Sequence, residues 1–182
     1  MGISIHYRGG MDRTEDIPKL VEELADIAEA MDWQYQAINE DEAEPDFFGI
    51  IVNPKGECEP LCFIFDRRGR LRNLADLITN QIEASQYSEY CATKTQFTTP
   101  DTHIWIIGLL RYLKQHYMSD LIVSDEAEYW ETGNRATLIK KREILQGKMD
   151  AMAGELAASA DELSSASLDD VVARIERIAK KL

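Results

Sequence analysis

Asp125, Glu126, Glu128 and Glu131 follow directly on the short apolar run Leu121-Ile122-Val123. Carboxylates gathered at the end of a buried strand suit hard divalent cations, which take oxygen ligands. An imidazole would complete such a site. His103 stands near the start of the preceding helical stretch, and if that helix runs antiparallel to the strand it leads into, its start lies beside the strand's carboxyl end. Asp125, Glu126 and His103 are therefore the candidate trio for magnesium or manganese, in a metal-assisted hydrolase or phosphotransfer-like enzyme. No HExxH or paired D-x-D spacing accompanies them. The plainer expectation is a solvated strand end with His103 hydrogen-bonded near a helix cap.

Two sets of basic residues suit anions instead. Arg67, Arg68, Arg70 and Arg72 fall within six residues around Gly69, and the planar guanidinium fork matches phosphate or carboxylate. His6 and Arg8 share one face of an alternating segment, and Lys94 and Gln96 share one face of another. With Tyr90 they would converge on an anion only if the two segments are neighbouring strands. The competing expectations are a charged turn that pairs with the chain's own acids and the wet side of a sheet. A nucleophile is harder to nominate: Cys91 has no adjacent His or Asn, and no G-x-S-x-G occurs. Trp33, Trp105 and Trp130 have apolar neighbours and suit a core or an interface better than a base-stacking platform.

These side chains need a frame, and hydrophobic periodicity supplies one. Ile3, Ile5 and Tyr7 alternate with polar residues as in a half-buried strand ending at Gly9-Gly10. Thr14 is the expected cap of a helix whose stripe is Ile17, Leu20, Val21, Leu24, Ile27, Ala28 and Met31. A strand over 33–37 and the acidic connection 39–46 follow. The runs 47–52 and 61–65, joined through Asn53-Pro54-Lys55-Gly56, predict an antiparallel hairpin. Asn73 is read as capping a short helix with Leu74, Leu77, Ile78 and Ile82.

A strand from Cys91 to Phe97 then leads to the clearest helix start in the chain, Thr99 as cap with Pro100 and Asp101 behind it. That helix carries Ile106, Leu109, Leu110, Leu113 and Tyr117 on one side, with Ile104 and Ile107 on the other, so it should be covered twice. Beyond residue 132 the composition shifts to Ala, Ser, Glu and Lys. Ser167 to Asp170 opens a last amphipathic helix with Leu168, Val171, Val172, Ile175, Ile178 and Leu182 on one stripe.

The fold class that satisfies this order is α+β, a mainly antiparallel sheet with two helices packed on one face plus a C-terminal helical appendage. A core domain over 1–132 and an appendage over 133–182 for docking or oligomerisation are expected. The appendage cannot fold alone, so it packs on its own chain or pairs between chains. A doubly wound parallel sheet is the alternative, disfavoured because no Gly-rich phosphate loop follows a strand.

The 33 acidic and 20 basic residues give a net charge of -13, which repels polyphosphate and makes nucleic acid an unfavourable partner. No apolar run reaches the length of a membrane span or signal peptide, and position 6 lacks the Ser or Thr preferred for myristoylation at Gly2. Cys58, Cys62 and Cys91 lack the further ligands of a zinc site and are expected as buried thiols. The leading expectation is an acidic cytoplasmic binding or regulatory protein that acts through protein–protein contacts, as a homo-oligomer or with another partner.

Overall fold

The computed structural model describes residues 2–38, 47–74, 90–158 and 167–179. The acidic connection 39–46 lies outside these residues, as does the helix expected after Asn73 apart from its first residue, Leu74. Two compact units divide the chain, Gly2–Leu138 and Ile139–Leu182.

The first unit is α+β. A three-stranded antiparallel sheet has β1 (Ser4–Arg8) between β6 (Cys91–Lys94) and β7 (Ile122–Asp125). A four-stranded antiparallel sheet has the order β2 (Gln34–Ile38), β3 (Phe47–Asn53), β4 (Leu61–Asp66) and β5 (Leu71–Arg72). The expected hairpin is thus β3–β4, with Phe48 opposite Phe65 and Ile51 opposite Cys62. Helices α1 (Ile17–Ala30) and α2 (Pro100–His116) pack against the sheets, and α3 (Tyr129–Thr132) is a single turn after β7.

Local signals explain most element ends. Thr99 caps α2 by accepting the Thr102 N–H at 3.1 Å, and Pro100 occupies the first turn where no donor is needed. At α1 the expectation fails. Thr14 belongs to a 3-10 turn, Thr14–Asp16, and no side chain caps the helix behind it. The strand expected to run to Phe97 stops at Lys94, because Thr95 turns the chain, its carbonyl accepting Thr98 N–H at 3.3 Å. Phe97 is left 48% exposed. Ile107, expected on a second apolar side of α2, lies in the main core cluster together with Ile106, Leu110, Tyr7, Phe63 and Leu24.

The two sheets are stitched where β4 has an open edge. β5 covers β4 only at Ile64 and Phe65. Upstream, the buried phenol of Tyr7 reaches across from β1, accepting Cys62 N–H at 3.0 Å and donating to the Cys62 carbonyl at 3.2 Å. Thr93 donates to the Pro60 carbonyl at 3.0 Å, and Glu59 and Lys94 exchange two further bonds. At the other end Gly9 accepts Leu71 N–H at 2.9 Å and Met11 N–H bonds to Gly69. Every residue of β4 is buried, so these polar groups need partners inside the protein.

Gly49 shows how tightly β3 and β4 approach. Its φ is +149°, and a Cβ there would stand 2.0 Å from the Phe63 carbonyl oxygen and 3.0 Å from Ile64 Cα. Both neighbours are backbone and cannot swing aside. Gly49→Ala is expected to cost about 3 kcal/mol or more through overpacking and backbone strain, read as a fall in the denaturant midpoint. Tyr7→Phe keeps the ring but leaves the Cys62 N–H and carbonyl unpaired. It should cost about 2–4 kcal/mol in the same assay, and a loss below 1 kcal/mol would mean that water replaces the phenol.

Candidate functional site

His103 and Asp125 do come together. His103 lies in the first turns of α2 and Asp125 ends β7, with Nε2 to Oδ2 at 3.2 Å and no solvent-accessible surface on either side chain. Behind the imidazole, Thr95 Oγ1 lies 2.7 Å from Nδ1. The carboxylate only accepts, so Nε2 carries the proton that faces it. The Thr95 hydroxyl donates to the Ile3 carbonyl at 3.3 Å, and the same carbonyl receives Thr95 N–H at 2.9 Å. The result is a row of hydroxyl, imidazole and carboxylate joining the turn after β6 to α2 and β7.

Asp125 does more than hold His103. Its Oδ1 accepts Ala127 N–H at 2.8 Å, and its Oδ2 accepts Tyr129 N–H at 2.7 Å and Trp130 N–H at 3.0 Å. Burial pushes this carboxyl upward, but the bond and charge of His103, with the N–H groups of Ala127 and Trp130, outweigh it and hold the carboxyl below its ordinary value. Glu128 completes the bend with a φ of +60°, rare for a residue with a side chain. Arg111 of α2 then locks α3 from above, donating to the Trp130 carbonyl at 2.8 Å and lying over the Tyr129 and Trp130 rings.

Glu126 is not drawn into this row; it is exposed, and its Oε2 accepts Ser4 N–H at 2.7 Å at the start of β1. Glu128 and Glu131 are exposed. Among the described residues no three His, Cys, Asp or Glu side chains gather as a metal ion would require. With four N–H donors already on Asp125, a cation would have to displace backbone bonds that shape α3. The hydroxyl–imidazole–carboxylate order is that of a general-base system, and the side chains of His103 and Asp125 are closed to solvent in this structure. The row ties the start of α2 to the end of β7.

The two basic sets fare differently. Arg72 donates to Asp66 Oδ2 through Nε at 3.0 Å and an η nitrogen at 2.7 Å, while Asp66 Oδ1 accepts the N–H groups of Arg68 and Arg70. Arg72 is therefore an internal partner, and the side chains of Arg67, Arg68 and Arg70 are exposed. On the other sheet β1 and β6 are neighbours, with Ser4 opposite Lys94 and His6 opposite Ala92. This brings His6, Arg8, Lys94 and Tyr90 to one face. Arg8 lies over the Tyr90 ring at 4.7 Å and Lys94 over Phe97 at 5.5 Å. Gln96, past the end of β6, lies beside Gly2.

Cys58, Cys62 and Cys91 carry free thiols. Burial pushes the thiols of Cys58 and Cys62 up to about 11, so neither is a nucleophile at neutral pH. Thr95 and Arg111 escaped the sequence reading, although an Asp two to five residues before a helical turn is itself a recognisable capping signal. Comparison with known proteins finds no matching family model, no matching curated protein and no matching solved structure.

Asp125→Asn is expected to lower stability by about 2–3 kcal/mol, because the amide nitrogen must face at least one backbone N–H. The loss should be the same with or without magnesium or manganese. A carboxyl with a depressed folded-state pKa stabilises the fold above its unfolded value, near 3.9, and that contribution disappears as pH falls through the folded value. The stability gap between wild type and Asp125→Asn should therefore narrow in acid, measured by urea unfolding from neutral pH downward.

Proposed function

We propose that this chain is a binding or regulatory protein of the cytoplasm that acts through contact with another protein, with residues 133–182 as its docking segment. The observation that carries the reading is α4 (Arg135–Ala158). In this 24-residue helix Leu138 is the one buried residue. Leu145, Met149, Met152 and Leu156 are half-buried, and Ile144 is 52% exposed. Gly147 and Gly154 have nothing within 4 Å of the place a Cβ would take, and each costs an isolated helix about 1 kcal/mol. Such a helix draws its stability from a packed face, and this one is packed only by half.

The second segment of the appendage has the same character. α5 (Leu168–Ala179) is opened by Ser167, whose hydroxyl accepts Asp170 N–H at 3.3 Å, and Val172 on it is 46% exposed. Among the described residues no helix is long and apolar enough to cross a membrane. Free thiols at all three cysteines accord with a reducing compartment. The alternative, metal-assisted hydrolysis or phosphotransfer at Asp125, Glu126 and His103, must contend with a carboxylate whose acceptors are engaged by backbone N–H groups.

Hydrogen exchange on the dilute full-length chain tests the reading. Amides from Gln146 to Ala158 are expected to exchange orders of magnitude faster than those of β1 and β4, whose protection reports global unfolding. If α4 in the dilute monomer is protected as strongly as β4, it needs no partner and the reading fails.

A further inference from the structure

Few contacts hold α3 in its place. It has four residues, too few for a helix to stand alone, and no side chain in it is buried. Tyr129 and Trp130 are half-buried against the edge of the main core, while Glu131 and Thr132 are exposed. The turn is closed on itself. The Glu128 carbonyl accepts Thr132 N–H at 3.1 Å and the Thr132 hydroxyl at 2.6 Å, and the Tyr129 carbonyl accepts Gly133 N–H at 2.9 Å. A small closed body with little buried apolar surface is the kind of element that opens as a unit, below the cost of global unfolding.

Its two ends have the backbone of pivots. Glu128 has a φ of +60° and Gly133 a φ of +61°, both left-handed. At Glu128 that conformation is strained, and leaving it relieves the strain. At Gly133 nothing stands within 4 Å of the place a Cβ would take, and the chain from Gly133 to Ala136 is exposed, so it turns there without collision.

Beneath α3 three donors converge on Asp125 Oδ2: Tyr129 N–H at 2.7 Å, Trp130 N–H at 3.0 Å and His103 Nε2 at 3.2 Å. The first two belong to α3. Ala127 N–H, which bonds Oδ1 at 2.8 Å, precedes the pivot at Glu128. Lifting α3 therefore strips two donors from Oδ2 and leaves the carboxylate held by Ala127 and His103. The pair stays oriented while the Oδ2 edge meets water. On the outer side Arg111, itself exposed, donates to the Trp130 carbonyl at 2.8 Å and lies over both rings, so opening breaks this contact.

We infer that α3 is a hinged cover that turns on Glu128 and Gly133, is latched by Arg111, and on release opens the His103–Asp125 pair to solvent. The inference is independent of the docking role proposed for 133–182. It gives the sealed pair a second state in which an imidazole backed by a carboxylate is accessible, the arrangement that general-base chemistry uses.

Hydrogen exchange on the full-length chain reads the opening. The Tyr129 and Trp130 amides are expected to exchange about a hundredfold or more faster than those of β4, at a rate that low denaturant barely changes, since a local opening exposes little surface. Arg111→Ala should speed them about tenfold further and leave the β4 amides and the thermal transition in place. Carbethoxylation with diethyl pyrocarbonate, located by mass spectrometry, reads the pair beneath. His103 should react in the native chain and faster in Arg111→Ala, with the exposed His116 reacting at an unchanged rate as internal reference. Tyr129 and Trp130 amides that exchange together with β4 overturn the inference, because α3 then leaves only when the whole unit unfolds. So does an Arg111→Ala chain whose α3 exchanges at the wild-type rate, and so does a His103 that stays unreactive while the α3 amides exchange.

Discussion

The phenol of Tyr7 carries a constraint on which much of the first unit depends. β4 is buried along its whole length, yet β5 pairs with only its last part. A buried strand cannot leave backbone groups unpaired, since each would cost on the order of 1–3 kcal/mol. One hydroxyl that both donates and accepts does for Cys62 what a neighbouring strand would otherwise do. Because Tyr7 projects from β1, the same bonds set where the three-stranded sheet meets the four-stranded one. Burial raises the phenol's pKa well above its ordinary value, which keeps its donor proton in place.

Around that joint the polar interior is arranged with similar economy. Asp66 and Asp125 each end a strand and each gathers the N–H groups of the turn that follows, Asp66 adding Arg72 and Asp125 adding His103. Both carboxylates thereby convert the end of a strand into a fixed change of direction. Residue types that suggest chemistry when read as letters also hold two loops in space.

How much of this was legible in the sequence depended on how local the cause was. The start of α2 could be read from Thr99 and Pro100 alone, because a cap is decided within four residues. The β3–β4 hairpin followed from turn chemistry at Asn53 to Gly56, and the nearness of His103 to Asp125 followed from the direction of one helix. The sealing of that pair did not, since it depends on the left-handed bend at Glu128 and on Thr95 leaving the strand early. Gly49 looked like any strand residue, and only the closeness of Phe63 and Ile64 explains it. The division of the strands into two sheets was hidden for the same reason. It rests on contacts such as Tyr7 to Cys62, made between residues 55 positions apart.

Leu61-Cys62-Phe63-Ile64-Phe65 is a run of strongly strand-forming residues without a charge or a proline, the composition that favours cross-β stacking between molecules. In the folded chain β3 takes one edge of this segment, and β5 and the Tyr7 phenol divide the other. Residue 7 is made long before residue 62 during synthesis, so the group that blocks the edge is already present when the edge emerges. The phenol therefore acts as a gatekeeper as well as a joint, and the interval before it docks is when this protein is most exposed to aggregation.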